Sequence, residues 1–224
     1  MLKKRIREII ARSKPHGWVL EPEAKEILRL SGIPVPSFCW ARSAAEAVDF
    51  AASAGYPVVA KLVSPAVIHK SEANGVVVGI DSPRQLRTTY QQFAKRKAFD
   101  GVLVEVMVAG LELIVGGKVD AQFGPVVLLG MGGTGVEIYK DTTLRMAPIG
   151  EKDVVSMVNC LTASQLLQGF RGKAAVDMQS LNGLMIAFSD LLMKLADLIE
   201  SVDLNPVICS SNGCQVADAR IMLA

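Results

Sequence analysis

Apolar and polar residues alternate most clearly between Pro57 and Val63, where the sequence reads PVVAKLV. Successive side chains of a β-strand point to opposite faces, so this pattern predicts a strand with Lys61 in its middle. Val59 and Val63 share the face of Lys61. A buried ammonium without a partner loses hydration, so we expect an anion over this face. Two ordinary alternatives are that Lys61 pairs with a carboxylate of the same fold or extends outward from an edge strand.

A polar loop follows this strand and precedes a second apolar strand, Gly75–Ile80. The loop supplies hydroxyl groups, a second lysine and turn-forming residues, namely Ser64, Pro65, His69, Lys70, Ser71, Asn74 and Gly75. Loops of this kind can present backbone N–H groups to phosphate oxygens. The candidates for a phosphate-binding site are therefore Lys61, Lys70, Ser71 and Gly75.

Helices alternate with strands through the first half of the chain. The predicted helices are Glu21–Leu30, Ser43–Ala54 and a third from Ser82 to about Ala98. Two of them begin with a capping-box pattern, Ser43 with Glu46 and Ser82 with Gln85. This alternation indicates a layered lobe in which helices cover a sheet.

Short strands dominate the middle of the chain. Gly101–Val108 and Leu111–Val115 are predicted strands joined by two residues, which is consistent with a hairpin. Gly130–Gly135 reads GMGGTG and matches a dinucleotide-binding pattern, but a strand, Val136–Tyr139, follows it where that pattern requires a helix. The glycines are therefore interpreted as a hairpin turn and not as an NAD site.

Later helices are predicted at Asp153–Cys160, Ser164–Gln168 and Ser180–Glu200. The last carries leucines at roughly helical spacing, which favours a core stripe over a partner-binding zipper. Gly169–Gly172 precedes it and reads GFRG, which by itself indicates a helix stop with an exposed Arg171.

The end of the chain predicts a β-hairpin. Asn212-Gly213 is a strong signal for a two-residue loop and separates the apolar segments Val202–Ser210 and Cys214–Ile221. The residue pairs in that register are Ser211 with Cys214, Val207 with Asp218, and Asn205 with Arg220.

Paired residues share a face of the sheet, so this register places four polar side chains together, those of Asp203, Asn205, Asp218 and Arg220. The three oxygen-bearing side chains among them, Asp203, Asn205 and Asp218, suit Mg²⁺, a hard cation that takes few protein ligands and completes its shell with water and phosphate. A loop of odd length would turn Asp218 to the opposite face and remove the site. The alternative is that Asp218 pairs with Arg220 or with Asp203 at a solvated edge.

Composition and charge narrow the functional classes. The chain has 224 residues, of which 50% are hydrophobic, enough for the core of one large domain or two small lobes. A net charge of +2 provides no broad attraction to nucleic acid or an anionic membrane, so neither is expected as a partner. The four cysteines form no CxxC pair and lie far from the two histidines, so neither a zinc site nor a disulfide framework is indicated.

The first residues, MLKKRIREIIARSKPHGW, are basic and mildly amphipathic. They lack the long apolar region and cleavage site of a signal peptide, and no apolar run approaches the length of about 20 residues that crosses a bilayer. A cytoplasmic location is the default expectation. We interpret the segment as a surface helix, with a docking arm for a partner as the alternative.

One segment, GYPVVAKLVSPAVIHKSEANGV, resembles the first nucleotide-binding segment of the ATP-grasp β subunit of ADP-forming acetyl-CoA (acyl-CoA) synthetases, relatives of succinyl-CoA synthetase. Three more blocks follow in the family's order: Leu103–Ile149, GFRG at Gly169–Gly172, and VDLNPV at Val202–Val207. The resemblance implies an α+β (α/β) ATP-grasp fold with two lobes that clamp nucleotide. The implied domains are an N-terminal helical extension at 1–20, a first lobe at 21–107 and a second lobe at 108–224.

The resemblance also implies roles in nucleotide binding. Main-chain groups hold adenine in the family, and the matching positions here are Glu105, Val106 and Val108. The glutamate that contacts the ribose matches Glu112, which would otherwise be a solvent-facing residue on a half-exposed strand. Lys61 would steady phosphate oxygens.

The metal ligands of the family match Asn205 and Asp218, and Asp203 joins them on the shared face. The phosphoryl-carrying histidine matches His69 in the motif HKS, and an imidazole can be both nucleophile and leaving group near neutral pH. One departure is SEANGV, where the family commonly has a glycine pair. Asn tolerates positive φ better than most residues, so a turn at Asn74 is still expected.

Two arginines match active-site positions of the family. Arg145 matches an arginine that faces the active-site cleft, whereas the alternative is a buried ion pair with Glu137 or Asp141. Arg171 matches a loop near the active site, so both arginines are candidates for catalysis.

The implied reaction is acyl-CoA + ADP + phosphate ⇌ carboxylic acid + CoA + ATP, with Mg²⁺ and ADP or ATP bound to this chain. The expected partners are a small carboxylic acid or acyl-CoA and a separate CoA-binding α subunit, in an α2β2-type assembly. The alternatives are a carboxylate–amine ligase of the same fold and a nucleotide-sensing module without turnover.

Overall fold

The computed structural model describes residues 3–133 and 141–224. The chain forms two compact units, which we call the small unit, Pro36–Val108, and the large unit, Met1–Val35 with Ala109–Ala224. No helix in these described ranges is long and apolar enough to cross a membrane.

The described residues contain six α-helices and eleven strands. The helices are α1 (Lys4–Ser13), α2 (Glu21–Leu30), α3 (Ala44–Ala54), α4 (Pro83–Phe93), α5 (Glu151–Cys160) and α6 (Met178–Leu195). The strands are β1 (Trp18–Val19), β2 (Phe38–Ala41), β3 (Val58–Leu62), β4 (Val76–Ile80), β5 (Val102–Val106), β6 (Leu111–Asp120), β7 (Gly124–Met131), β8 (Thr142–Met146), β9 (Ile199–Ser210), β10 (Gly213–Val216) and β11 (Ala219–Leu223). Short 3-10 helices occupy Lys14–His16 and Ser164–Leu166.

The small unit contains a four-stranded antiparallel sheet in the order β2-β5-β3-β4. Its strand β3 confirms the predicted alternation, because Val58, Ala60 and Leu62 lie in one core cluster with buried residues of α3 and α4. Lys61 lies on the other face and is also buried. The strand that carries the candidate lysine is therefore buried on both faces.

The helix ends of the small unit follow the prediction in part. Ser43 Oγ accepts a hydrogen bond from the Glu46 N–H (3.2 Å), but the Glu46 carboxylate accepts from the N–H of Arg42 (2.7 Å), one residue earlier than a capping box requires. Helix α4 ends at Phe93, well before the predicted end at Ala98. Ala98 has a φ of 52°, which a continuing right-handed helix excludes.

The large unit contains a seven-stranded sheet in the order β1-β11-β9-β6-β7-β8, with β10 also paired to β9. Helices α5 and α6 pack on one face of this sheet and share its core. Gly117 permits close packing, because a Cβ there would lie 2.9 Å from side-chain atoms of Leu192 and Phe188 on α6. We call the other side of the sheet the open face.

The prediction of a hairpin between Gly101–Val108 and Leu111–Val115 is wrong. Strand β5 pairs with β2 and β3, whereas β6 pairs with β7 and β9 in the other sheet. Leu111 lies opposite Cys209, and a Cβ at Gly110 would overlap the Cys209 carbonyl group. The connection therefore joins two sheets, and its glycine allows a close approach to β9.

Helix α6 ends at Leu195 and not at the predicted Glu200, because Ile199 already begins β9. Asp177 caps the first turn by accepting hydrogen bonds from the N–H groups of Gln179 (3.0 Å) and Ser180 (3.1 Å). The leucines of this helix are buried, which confirms the core interpretation of the stripe.

The compact units differ from the predicted domains at the N-terminal side. Helices α1 and α2 contribute Ile9, Leu28 and other apolar residues to the core of the large unit, and β1 pairs with β11. Residues 1–20 are thus not an extension outside the lobes. Residues 21–35, predicted to begin the first lobe, belong to the large unit because their apolar side chains are buried there.

Cys209 and Cys214 form a disulfide across β9 and β10. The cysteine spacing did not indicate this bond. Two cysteines can pair only when the fold brings their Cα atoms close, and here the hairpin register places them directly opposite each other.

Candidate functional site

Lys61 and Glu105 form a buried ion pair in the small unit. Lys61 Nζ lies 2.7 Å from Glu105 Oε1, and the two side chains are 7% and 3% exposed. They share a face because Glu105 of β5 lies opposite Val59, two residues before Lys61 on β3. The anion predicted over this face is therefore present as a carboxylate of the same fold. Phosphate binding by Lys61 stays a prediction.

The loop after β3 is closed by backbone hydrogen bonds. The Gly75 N–H donates to the Lys70 carbonyl (2.7 Å), and Asn74 has a φ of 52°. A Cβ at Gly75 would lie 3.1 Å from that carbonyl oxygen and 3.2 Å from Leu62 Cβ. The loop thus accepts Asn74 in a left-handed turn, as expected, and has little room for a side chain at Gly75. Lys70 is buried and Ser71 is exposed.

His69 is an exposed residue of this loop. Its side chain is 60% exposed, and Nδ1 lies 3.9 Å from Glu72 Oε1. An imidazole that receives a phosphoryl group from one molecule and gives it to another must be reached by both. The exposure of His69 fits this use, and the role itself stays a prediction.

The candidate adenine-binding residues lie where β5 ends. The Val106 N–H donates to the Ser37 carbonyl (3.0 Å), so adenine recognition at Val106 would use its carbonyl oxygen. Glu105 pairs with Phe38 and Val59 on the neighbouring strands. Val108 lies two residues beyond the end of the strand, outside the ladder.

A cleft of about 730 Å³ lies in the large unit. Its lining includes Leu111, Glu112, Gly132, Phe170, Lys173 and Cys209. Glu112 is exposed and points to the open face of β6, because its neighbour Leu113 lies in the core. Apolar walls around a single carboxylate suit a nucleoside, whose ring needs apolar contact and whose hydroxyl groups need an acceptor.

Glycines pack directly against Glu112. The Gly132 N–H donates to the Glu112 carbonyl (2.7 Å), and a Cβ at Gly132 would lie 2.8 Å from that oxygen. The start of the glycine-rich segment is therefore next to the candidate ribose ligand. The strand predicted after it, Val136–Tyr139, lies outside the described residues.

Arg171 lies beside the same cleft. Its guanidinium carbon is 5.3 Å from the ring centroid of Phe170, which lines the cleft. Arg171 has a φ of 49°, and a Cβ at Gly169 would lie 2.9 Å from the Lys173 carbonyl oxygen. The GFRG segment is thus a tight turn, and its Phe170 lines the same cleft as Glu112.

Arg145 lies on the helix-covered face of the large sheet. It pairs on β7 with Val127, a core residue, and its guanidinium donates to Ser156 Oγ of α5 (2.9 Å) and to the Leu144 carbonyl (2.8 Å). Glu112 points to the opposite face. The alternation of β8 therefore separates Arg145 from the open face, and its catalytic role stays a prediction without a contact that supports it.

Of the two predicted ion-pair partners of Arg145, only Asp141 lies within the described residues. The Asp141 carboxylate accepts hydrogen bonds from the N–H groups of Thr162 (2.8 Å) and Ala163 (2.9 Å). Glu137 lies outside the described residues. Asp141 thus caps the segment that follows α5.

The C-terminal hairpin has a register that differs from the predicted one by two residues. Gly213 pairs with Ser210 and Val216 with Val207, so Ser211-Asn212 forms the loop. Ser210 Oγ accepts a hydrogen bond from the Asn212 N–H (3.1 Å), which favours a turn one residue earlier. A slip of two residues preserves side-chain parity, whereas a slip of one would reverse it.

Asn205 and Asp218 consequently lie opposite each other on the open face. The Asn205 N–H donates to the Asp218 carbonyl (3.2 Å), and the neighbouring pair on the same face is Asp203 with Arg220. Arg220 Nη2 lies 3.0 Å from Asp203 Oδ2, so the ion pair of Arg220 is with Asp203, whereas the alternative had paired Asp218 with Arg220 or Asp203.

The donor set of Asn205 and Asp218 fits Mg²⁺. An amide oxygen and a carboxylate on one face are hard ligands, and Mg²⁺ usually keeps several waters and phosphate oxygens in its shell. In residues 3–133 and 141–224, no three His, Cys, Asp or Glu side chains form a complete metal cluster. The pair would therefore hold Mg²⁺ together with a nucleotide.

Two antiparallel sheets, each with helices on one face and polar side chains on the other, are the parts of an ATP-grasp domain. A family model described as an ATP-grasp domain matches residues 10–223. The acetate–CoA ligase (ADP-forming) I subunit beta of Pyrococcus furiosus is 41% identical over 226 residues, which cover 97% of each chain. The chain therefore belongs to the ATP-grasp family of ADP-forming acetate–CoA ligase β subunits.

A longer relative and two solved structures show the same similarity. The 4-hydroxybutyrate–CoA ligase (ADP-forming) of Nitrosopumilus maritimus is 38% identical over 92% of this chain and 31% of its own length. An acetyl-coenzyme A synthetase 1 of Ca. Korarchaeum cryptofilum, in complex with coenzyme A, Ca-AMPCP and HgCl+, matches with a TM-score of 0.91 and 38% identity, over 97% of this chain and 99% of that chain.

The same synthetase in complex with coenzyme A and Mg-AMPPCP, with its phosphohistidine segment pointing towards the nucleotide binding site, has a TM-score of 0.86 and 37% identity. That match covers 98% of this chain and 100% of that chain. These similarities confirm the predicted ATP-grasp fold.

Proposed function

We propose that this chain is the nucleotide-binding β subunit of an ADP-forming acyl-CoA synthetase, which catalyses acyl-CoA + ADP + phosphate ⇌ carboxylic acid + CoA + ATP. The observation that carries the proposal is the common orientation of Glu112, Asn205 and Asp218, which all point to the open face of the large sheet. A ribose ligand and two metal ligands on one face suit a Mg-nucleotide. The similarity to β subunits supplies the reaction class.

Each unit carries its own candidate nucleotide-binding groups. In the small unit, the phosphate-binding candidates are Lys61, Lys70, Ser71 and Gly75, and the adenine-binding candidates are the main-chain groups of Glu105, Val106 and Val108. In the large unit, Glu112 would accept hydrogen bonds from ribose hydroxyls, and Asn205 and Asp218 would hold Mg²⁺. The ion supplies charge neutralisation for the transferred phosphoryl group when it is bound.

His69 would carry the phosphoryl group. In the direction of ATP synthesis, an imidazole nitrogen would attack the phosphorus of a phosphoryl group on the partner, so that an N–P bond forms as the bond between phosphorus and its donor atom on the partner breaks. The new N–P bond would then break as a β-phosphate oxygen of ADP attacks, which gives ATP and restores the free imidazole. Arg171, beside the cleft, would stabilise negative charge on the phosphates. Arg145 would act indirectly, by holding β8 against α5. Asp203 would also act indirectly, by orienting the Arg220 side chain.

The partner in this proposal is a CoA-binding α subunit in an α2β2-type assembly, in the cytoplasm. The Pyrococcus furiosus relative is named as a β subunit, which implies an α partner for that enzyme. The acyl substrate is a small carboxylic acid.

Co-purification of the chain with a CoA-binding partner and a coupled assay of ADP formation test the proposal. We expect turnover only when ATP, Mg²⁺, CoA and an acid are all present, and a panel that includes acetate and 4-hydroxybutyrate identifies the acid. An Asp218→Ala variant of the same complex serves as the inactive control. The mass of the complex in solution tests the α2β2 arrangement.

Three other outcomes would contradict the proposal in different ways. Turnover that needs an amine and not CoA would identify a carboxylate–amine ligase. Nucleotide binding without turnover for any acid would identify a nucleotide-sensing module. No nucleotide binding at all would remove the ATP-grasp function.

A further inference from the structure

Lys25 is a fully buried lysine in the large unit that the proposed chemistry does not use. Its side chain is 0% exposed, and Nζ donates to the carbonyl oxygens of Ala217 (2.7 Å) and Val216 (3.4 Å). Glu21, also buried, places Oε1 3.8 Å from the same nitrogen, one helical turn earlier on α2. A buried ammonium requires such partners, since it has given up its hydration.

The carbonyl groups that Lys25 contacts belong to the last residue of β10 and to the first residue of the short link between β10 and β11. In this link, the Ala217 and Asp218 N–H groups both donate to the Pro206 carbonyl, at 2.9 and 3.4 Å. Lys25 thus binds carbonyl oxygens of this segment, and the Pro206 carbonyl accepts hydrogen bonds from N–H groups of the same segment. The two peptides that flank the Ala217 Cα are therefore held at both their carbonyl and N–H groups, and the second of them directly precedes the Asp218 Cα.

This link sets the orientation of Asp218. The peptide before its Cα is fixed by Lys25 and Pro206. The peptide after it is held where the Asp218 carbonyl accepts a hydrogen bond from the N–H of Asn205 (3.2 Å), the other candidate metal ligand, which directly precedes Pro206. A rotation of the 217–218 peptide would move the Asp218 carboxylate relative to the Asn205 amide. A positive charge opposes this rotation more strongly than a neutral donor, because hydrogen bonds from charged groups are stronger.

We propose that Lys25 is a positioning residue for Mg²⁺-dependent nucleotide binding and that it acts through Asp218. The inference rests on the proposed function, which assigns Asp218 to the metal. Lys25 touches neither metal nor nucleotide; it fixes the main chain that presents the carboxylate. Glu21 keeps the ammonium in place and has a smaller effect in the same direction.

The test measures ADP binding to the full chain by calorimetry at increasing Mg²⁺ concentrations. ADP binding in the absence of Mg²⁺ is measured in the same way. Lys25→Met keeps most of the side-chain volume and removes the charge. We expect the Mg²⁺ concentration at half-maximal enhancement to rise about tenfold, as when a group that orients a metal ligand is lost. Binding without Mg²⁺ should change less than about twofold, which a general structural defect would not produce.

Two further variants establish the route of the effect. In an Asp218→Asn background, Lys25→Met should cause no further shift in the Mg²⁺ midpoint. Lys194→Met, a change of an exposed lysine on α6 in the same unit, should leave both measurements unchanged. If Lys25→Met does not fold, Glu21→Gln replaces it and should raise the midpoint about threefold.

The outcomes separate this inference from the proposed function. Absence of any Mg²⁺ effect in the wild type would overturn the proposed function. A normal midpoint in Lys25→Met, or in Glu21→Gln when that variant replaces it, would overturn the role of Lys25 alone. A shift in the Mg²⁺ midpoint that persists in the Asp218→Asn background would also overturn the role of Lys25. An equal loss of ADP affinity in the absence of Mg²⁺ would overturn it as well.

Discussion

Lys61 in the small unit and Lys25 in the large unit are both buried, but their charges are balanced in different ways. Lys61 has a carboxylate oxygen of Glu105 at 2.7 Å, whereas Lys25 has a carbonyl oxygen at 2.7 Å and a carboxylate oxygen of Glu21 at 3.8 Å. The first arrangement joins two strands through side chains. The second joins a helix to the main chain of a strand connection. A buried lysine is therefore informative only when its partner is known.

The largest effect on stability is expected for Lys61→Met. It leaves the Glu105 carboxylate buried without its cation, and breaking a buried pair costs about 3–5 kcal/mol. Urea denaturation of the full chain measures this change, and affinity for Mg-ADP should fall in the same variant if Lys61 also contacts phosphate. A loss of unfolding free energy below about 1 kcal/mol would show that Lys61 is not the main partner of Glu105.

Lys25→Met should be less destabilising, by about 2 kcal/mol. The carbonyls of Val216 and Ala217 each lose a hydrogen bond, but neutral carbonyl groups are cheaper to leave buried than a carboxylate. The same denaturation series gives the value. A larger loss than in Lys61→Met would reverse the comparison and identify Glu21 as the main partner of Lys25.

Double variants sharpen the comparison. Glu105→Leu should restore about 1.5 kcal/mol to Lys61→Met, because an apolar pair can replace a buried ion pair. Glu21→Leu should restore less than about 0.5 kcal/mol to Lys25→Met, since the backbone carbonyls remain. Equal recovery in the two cases would mean that both lysines are simple side-chain ion pairs.

The smallest effect on stability is expected for His69→Ala. The side chain is 60% exposed, so unfolding free energy should change by no more than about 0.5 kcal/mol. Turnover with the α partner should nevertheless stop, with ADP binding nearly intact, because the ring is used for transfer and not for ground-state binding. The wild-type chain should acquire acid-labile, base-stable label from radiolabelled ATP. Near-wild-type turnover in His69→Ala would contradict the proposal that His69 carries the phosphoryl group.

The sequence predicted those features that depend on neighbouring residues. Strand β3 follows from its period of two, and the turn at Asn74 follows from the tolerance of that residue for positive φ. Helix α2 was predicted with its observed bounds. The resemblance identified the family because its blocks occur in order along the chain.

Features that depend on distant pairing were missed. The β5–β6 hairpin failed because each strand pairs in a different sheet, and the disulfide of Cys209 with Cys214 requires the register of β9 with β10. Lys25 gave no signal, because a lysine on a short helix is ordinarily on its exposed side. Only the fold shows that this position is covered, as are most positions of α2.

The parity of the C-terminal hairpin constrains how this part of the family can change in length. Asn205 and Asp218 face the same side because the register that pairs Leu204 with Ala219 places them opposite each other, and opposite residues of neighbouring strands share a face. During divergence, a single-residue insertion absorbed within the paired part of β10 would turn Asp218 towards the helices and remove it from the proposed metal site. An insertion in the Ser211-Asn212 loop would be harmless. Homologous hairpins should therefore vary at their tips and keep their paired lengths.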